Sequence, residues 1–502
     1  MRQRLGQISL RVETRDAPRF TRVDATVFLL ALAVYGVARL CRLTSYGLFG
    51  DEVFTFWVAD QDLGNLIASV RGDVVHPPLF YIVLKFWIAL GGSSILWLKL
   101  LPVLFSFAAI PPLVLLCREL KMRAAAINLT LGLIAFNSLL VNYAQELRMY
   151  SLLMTLTITS LWLFVRVINH NSGVAPTQLA LTGVNLLLVF THYYGWLIVA
   201  LELVFILLCN RERARGLAIG VAAIVCAFSP WALGVAREAR EKPERLNFVW
   251  NAPPGVSDFV GYYANLNGAL SYRWKVAGTL LVMILFATPI AVWGRFALRS
   301  TPTPHEQQSD QAITFFWFAT FAFAPAVISF CASHVLSQSV WAPRYLMIAA
   351  PAYLMMVAVA VFKLPSRRLA VTTGIVMLAW AGASGSTELI SRDRIAWEPL
   401  VEQMISAESR DSAIKVYATD PNLGNTIQFY LDRLSNTRCE VVYENKLDNL
   451  KDDHFWVAHI RYKHEAQSLP QQLLRESGYE VGAGFEAAAP NHKGFLFPVW
   501  KR

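Results

Sequence analysis

The sequence predicts a polytopic α-helical membrane protein of about eleven spans that carries a small α/β domain at its C-terminal end. Three observations predict it. Apolar runs recur from residue 25 to about residue 388. Only 16% of the 502 residues are charged, against roughly 25% in an average soluble domain. From about residue 389 the pattern changes to short alternating segments of soluble type. The mean hydropathy of +0.42 agrees with the first two.

The formal net charge of +10 does not mark a nucleic-acid protein. Most basic residues sit in short loops between apolar runs, where they report topology. Six cysteines, Cys41, Cys117, Cys209, Cys226, Cys331 and Cys439, show no metal or disulfide spacing. Arg2, Arg4, Arg11, Arg15, Arg19 and Arg22 precede the first apolar run without a trusted cleavage signature, so residues 1–24 are expected to form an uncleaved cytoplasmic segment.

The first span is expected at 25–41, which puts Asp51-Glu52 on the outer face. Leu63, Leu66, Ile67 and Val70 have the spacing of an interfacial amphipathic helix. Residues 77–91 are apolar, but they open with Pro77-Pro78 and contain Lys85. At about 14 residues the run is short for a span, which needs about 20. The expected crossings are then 95–116, 124–141, 150–168, 177–191, 194–209, 216–234, 274–294, 312–333, 345–362 and 369–388. This choice places Arg118, Lys121 and Arg123, Arg166, Arg211, Arg213 and Arg215, Arg295 and Arg299, and Lys363, Arg367 and Arg368 inside, with the basic N-terminus.

Residues 25–388 thus form the transmembrane domain, with 44–94 as its first external loop. A longer loop, 235–272, is expected on the same face. Residues 389–502 form an extracytoplasmic α/β domain, with strands at 413–419, 439–444, 454–460 and 494–500 and helices at 422–432 and 468–477.

The external side gathers the residues that can do chemistry. Asp51 can act as a general base for an acceptor hydroxyl, with Glu52 orienting it; the plain alternative is an acidic helix cap. A carboxylate that loses hydration at an apolar mouth becomes a better base. Asp73 and His76 leave a divalent metal open, or a polar turn before the prolines. Arg148 and Arg344, each near a tyrosine at a span boundary, can clamp a lipid phosphate or simply reach headgroups. Lys85 inside an apolar run needs an anion or water, because a mid-bilayer charge costs about 2.5–3.5 kcal/mol. Glu146, His192 and Tyr193 are expected to line the pocket.

Asp51-Glu52 after the first span resembles a known pattern when read with four further stretches. These are His76-Pro77-Pro78-Leu79, the run from Tyr143 to Tyr150 (YAQELRMY), Thr191-His192-Tyr193-Tyr194-Gly195, and Pro343-Arg344-Tyr345. In that order they resemble the bacterial branch of the protein O-mannosyltransferase and lipid A aminoarabinose transferase superfamily. The resemblance covers the membrane part and is densest over residues 44–150. It implies a GT-C fold and an inverting glycosyltransferase that moves a sugar from a polyprenyl-phosphate donor to an extracytoplasmic lipid, glycan or protein. It also implies residence in the bacterial cytoplasmic membrane.

By the same resemblance Asp51 is the catalytic carboxylate with Glu52 its partner. His76 lies close to donor phosphate or metal, and Arg344 near the lipid phosphate, with Arg148, Lys85 and Tyr345 as further phosphate-side candidates. The tail lacks the β-trefoil modules of eukaryotic protein mannosyltransferases, which weakens a protein acceptor. The competing readings are a non-catalytic membrane scaffold and a transporter of lipid-linked sugars. The partners expected are polyprenyl-phosphate-linked sugar, membrane lipids and an acceptor the sequence does not identify; nucleic acid is not among them.

Overall fold

The computed structural model describes residues 9–13, 20–242, 252–268, 277–298, 305–390, 394–408, 414–435, 439–444, 452–462, 470–489 and 492–502. Arg2, Arg4, Arg15, Arg19, Arg299 and parts of the loop 235–272 (243–251 and 269–272) lie outside the described residues. By compactness the chain divides into two units. The first comprises Met1–Cys41, Asp62–Val83 and Leu100–Ser386; the second comprises Arg42–Gln61, Leu84–Lys99 and Thr387–Arg502.

The helices in chain order are α1 (Arg22–Leu40), α2 (Asp51–Asp60), α3 (Leu63–Asp73), α4 (Leu79–Gly91), α5 (Ile95–Ala108) and α6 (Ile110–Glu119). Then come α7 (Ala124–Phe136), α8 (Ser138–Ala144), α9 (Tyr150–Asn169), α10 (Val174–Thr191), α11 (Gly195–Cys209) and α12 (Arg211–Glu241). α13 (Val256–Leu266), α14 (Ala277–Leu298), α15 (His305–Val335), α16 (Ala350–Val361) and α17 (Arg367–Ile390) follow, with a 3₁₀ turn at Tyr345–Ala349 leading into α16.

Among the described residues, eight helices are long and apolar enough to cross a membrane. A ninth joins them if α7 and α8, bent by 64° to each other, make one broken span. α11 and the stretch Tyr345–Val361 are apolar and shorter. Together these occupy the eleven predicted positions, so the chain is an integral membrane protein. α4 is also helical and apolar, at 13 residues too short to cross unaided. α12 runs past its predicted end at 234 because Ala236-Arg237-Glu238-Ala239-Arg240-Glu241 are all good helix formers.

Local chemistry explains the boundaries in the first unit. α1 starts on a capping box, in which the Asp24 N–H donates to Thr21 Oγ1 and the Thr21 N–H donates to Asp24 Oδ2. It ends under Gln145, whose amide nitrogen donates to the Ala38, Arg39 and Cys41 carbonyls. Asn137 makes the break between α7 and α8, accepting from the Leu140 N–H as N-cap of the second helix. Every residue of α16 is buried, as is most of α9, so these two helices are interior. Arg39 is fully buried in α1, yet its guanidinium donates to Ser106 Oγ and to the Tyr35, Ile134 and Ala135 carbonyls and stacks on the Tyr35 ring.

The second unit holds α18 (Trp397–Ala407), α19 (Pro421–Leu434), α20 (Pro470–Glu476) and a six-stranded sheet. Its strands are β1 (Ile414–Ala418), β2 (Cys439–Tyr443), β3 (His454–Tyr462), β4 (Tyr479–Val481), β5 (Phe485–Ala488) and β6 (His492–Lys501). The order is β2-β1-β3-β6-β4, with β5 also pairing β6. β1 pairs in parallel with β2 and β3, and β6 runs antiparallel to its neighbours. α19 is the crossover between β1 and β2, as parallel pairing requires. Tyr417, Phe455, Val457, Leu474, Tyr479, Phe497 and Val499 form the core of this sheet. All four predicted strands and both predicted helices are present. α18, β4 and β5 are additional; β4 and β5 are three and four residues long, too short to show a period.

Candidate active site

In the first unit, the segments the sequence singled out converge. Asp73 ends α3, and Val74 turns the chain in the left-handed region (φ 56°). A β-branched residue there costs of order 1–3 kcal/mol, and the turn brings His76 inward, where it is buried. Arg148, also buried, places Nη2 3.4 Å from His76 Nε2. A guanidinium can only donate, so Nε2 accepts and the His76 proton sits on Nδ1, 3.7 Å from Asp73 Oδ2. The Tyr345 ring is the hub. Its centroid lies 4.7 Å from that of His192, 5.4 Å from Tyr194, 6.3 Å from His76 and 6.5 Å from Tyr150. The Arg344 guanidinium lies over the same ring at 5.4 Å.

His192 is fixed by its own backbone. Nδ1 accepts the Tyr194 N–H at 3.1 Å, so the neutral ring carries its proton on Nε2. Burial, and then the neighbouring His76, Arg148 and Arg344, hold its pKa well below the ordinary imidazole range, so the neutral form persists at pH 7. His192 Nε2 and the Tyr150 hydroxyl are both buried and have no hydrogen-bond partner among the described residues. Two buried donors without a partner beside two guanidiniums give this cluster the chemistry that suits an anion.

The pair Asp73 and His76 fits a metal poorly. One imidazole nitrogen carries the proton and the other accepts from Arg148, so neither offers a lone pair as arranged. Among the described residues no group of three His, Cys, Asp or Glu is placed to hold a metal ion. Glu146 is half-buried beside Arg148, its carbonyl accepting the Arg148 N–H at 2.7 Å. The Tyr193 hydroxyl accepts from the Trp231 indole at 3.3 Å and its ring packs on Phe228.

In the second unit, Asp51 and Glu52 open α2, where the helix dipole favours carboxylates. Their surroundings differ. Asp51 is half-buried, while Glu52 is 2% exposed. Glu52 Oε1 lies 3.7 Å from Lys99 Nζ, and Oε2 lies 3.4 Å from Arg394 Nη1. Lys99 also donates to the Tyr46 carbonyl. Lys85 donates to the Gln61 carbonyl at the C-terminal end of α2, a favourable place for a cation.

Sequence reasoning singled out Lys85 and passed over Lys99, although Lys99 is also a lysine in an apolar run and is the more deeply buried. It also missed Arg394, Tyr194 and the Tyr150 hydroxyl. Arg394 carried no signal, because its partner is 342 residues away. Tyr150 had one: it closes the same stretch that supplied Arg148.

The whole chain can be compared with solved structures at this point. It has the fold of ArnT, the lipid A aminoarabinose transferase of Cupriavidus metallidurans, in a crystal structure bound to undecaprenyl phosphate. Identity is 14%, covering 94% of this chain and 97% of that one, with a TM-score of 0.57. The apo structure of the same protein matches at 12% identity over the same shares, again with a TM-score of 0.57. An apo oligosaccharyltransferase from Archaeoglobus fulgidus matches at 11% identity over 83% of this chain and 64% of that one, with a TM-score of 0.49. No protein-family model and no curated protein sequence matches. The fold is therefore that of the GT-C glycosyltransferases, as the sequence resemblance implied. Within that class the similarity to ArnT covers nearly all of both chains.

Proposed function

We propose that this protein is an inverting glycosyltransferase that takes a sugar from a polyprenyl-phosphate donor and gives it to a hydroxyl acceptor on the extracytoplasmic side of the bacterial inner membrane. The observation that carries the reading is the side-chain cluster of the first unit, where Arg148, Arg344, Tyr345, Tyr150 and His192 bring together charge and buried donors without a partner among the described residues. It occurs on a fold shared with a protein solved bound to undecaprenyl phosphate.

In this reading the cluster takes the donor phosphate. Asp51 takes the proton of the acceptor hydroxyl as its oxygen bonds to the anomeric carbon. The bond from that carbon to the phosphate oxygen breaks, and its electron pair leaves with the polyprenyl phosphate. A phosphate leaving group is weakly basic, so charge stabilisation by the guanidiniums and the Tyr150 and His192 donors replaces a general acid. Glu52, gripped by Lys99 and Arg394, is the orienting neighbour. No step is routed through a metal, because Asp73 and His76 do not fit one. Residues 25–388 are the transmembrane catalytic domain, residues 1–24 a cytoplasmic segment and residues 389–502 an extracytoplasmic domain.

The test is turnover in nanodiscs with a panel of polyprenyl-phosphate sugars and envelope extract as acceptor, read as polyprenyl phosphate released, by mass spectrometry. Wild-type turnover that Asp51→Asn lowers at least 1,000-fold, with the protein still folded and lipid-bound, is the expected result. Near-normal turnover in that variant would remove Asp51 from the chemistry. No turnover with any donor would favour a scaffold or transporter.

A further inference from the structure

Leu48 and Gly50, just before Asp51, are held by a single stripe of the C-terminal sheet's crossover helix. Asn422, Thr426 and Tyr430 follow one another at four-residue intervals on one face of α19. The Tyr430 hydroxyl accepts the Leu48 N–H at 2.8 Å and donates to the Leu48 carbonyl at 3.1 Å, satisfying both backbone groups of one residue. Thr426 Oγ1 donates to the Asn422 carbonyl, which leaves its lone pair for the Gly50 N–H at 2.9 Å. Leu48, Thr426 and Tyr430 are all at most 1% exposed.

The chain is shaped for this approach. A Cβ on Gly47 would fall 1.8 Å from the Tyr430 oxygen, and Gly50 adopts φ +48° with Asn422 against it. Gly50 is the N-cap of α2 and offers no side-chain cap of its own. Below the turn, Phe56 of α2 meets Phe429 of α19 edge-on at 5.6 Å. α19 is itself seated on the sheet: a Cβ on Gly424 would lie 3.4 Å from Ala418 Cβ and 3.8 Å from Val441 Cγ1.

We infer that α19 is a positioning helix for Asp51 and Glu52: Tyr430 and Thr426 fix the Leu48–Gly50 backbone and so set where the first turn of α2 presents its carboxylates. This gives the sheet domain a role in the transfer step, separate from any binding of acceptor. The inference rests on the proposed role of Asp51. Neither side chain touches substrate in this account; both act through the backbone. Misplacing a reacting group by about 1 Å can lower turnover about 100-fold.

The experiment compares full-length wild type, Tyr430→Phe, Thr426→Val and Thr426→Ser in nanodiscs. Tyr430→Phe removes one oxygen and keeps the ring, so the core of the domain survives. We expect kcat to fall about 10- to 100-fold in Tyr430→Phe, with donor KM and undecaprenyl phosphate binding within twofold of wild type. Thr426→Val should fall by a smaller factor, and Thr426→Ser, which keeps the hydroxyl, should recover most of the rate. Hydrogen–deuterium exchange should quicken over residues 47–56 in Tyr430→Phe, while the β1–α19 segment keeps its protection. Unchanged exchange over 47–56, or unchanged kcat in an enzyme whose turnover depends on Asp51, overturns the inference. If wild type transfers no sugar, the proposed function fails, and exchange alone decides whether α19 orders this turn.

Discussion

Replacing His192 by Phe tests the proposed phosphate site most directly. The ring plane and most of the volume are kept, and two things are lost. One is the Nε2–H, which is buried and has no partner among the described residues. The other is the Nδ1 acceptor for the Tyr194 N–H. If Nε2–H donates to an ionised phosphate, its removal costs about 1.5–3 kcal/mol of binding, or roughly 10- to 150-fold in Kd. The second loss acts on stability, because the Tyr194 N–H gives up its acceptor at a cost of about 1–3 kcal/mol.

Ligand stabilisation separates the two effects, since it depends on Kd and not on the baseline. Thermal unfolding of wild type and His192→Phe would be followed over a titration of undecaprenyl phosphate in nanodiscs. The expected outcome is a lower midpoint for the empty variant and a ligand curve displaced to at least tenfold higher concentration. The pH dependence adds a second check. Burial, and then the neighbouring His76, Arg148 and Arg344, hold the His192 pKa well below 6.5, so the ring is neutral at pH 7 and above. Affinity should then show no step attributable to His192 over that range. A variant that binds undecaprenyl phosphate within twofold of wild type at pH 7.5 would refute the assignment of Nε2–H as a phosphate donor.

Three other outcomes are expected. Asp51→Asn should lower sugar transfer at least 1,000-fold and leave undecaprenyl phosphate affinity unchanged, as judged by product release and by binding. Glu52→Ala, which takes the carboxylate from between Lys99 and Arg394, should cost about 3–5 kcal/mol of stability, with Glu52→Gln costing less; equal unfolding midpoints for the three proteins would show that the buried pairs do not hold this turn. The sheet domain should weaken in acid through His459, whose pKa is pushed down to about 4 by burial and then by Arg461. The unfolded chain binds that proton near pH 6.5, so stability present above pH 6.5 is lost as pH falls toward 4. After discounting for solvent screening, the loss is about 1–2 kcal/mol. Exchange of β3 amides at pH 4.5 and 7.5, in wild type and His459→Gln, would show it; identical acid sensitivity in the variant would refute the cause.

The sequence by itself determined the class of protein and the position of its helices. Lipid has no hydrogen bonds to offer, so a spanning segment must be a long apolar helix, and such a segment is visible without its neighbours. The C-terminal strands were legible for a related reason. AIKVYAT and HFWVAHI carry enough β-branched and aromatic residues to show their type locally. The sequence also named His76, Arg148, His192, Arg344 and Tyr345 as candidates, because charged and aromatic side chains stood out where most of the chain is apolar.

What the tertiary structure decided was partnership. It bound the Asp51-Glu52 turn to a helix more than 370 residues away, through Leu48 to Tyr430 and Gly50 to Thr426. It set Glu52 between Lys99 and Arg394, and left the Tyr150 hydroxyl and His192 Nε2–H buried without a partner among the described residues. The tautomers of His76 and His192 follow from the same contacts. None of this has a local period or motif, because a hydrogen bond between distant residues depends on where the fold delivers both ends. The physical reason is the range of the forces involved. Burial in lipid acts on each segment alone, whereas hydrogen bonds and ion pairs exist only at about 3–4 Å, a distance that the packed chain alone can set.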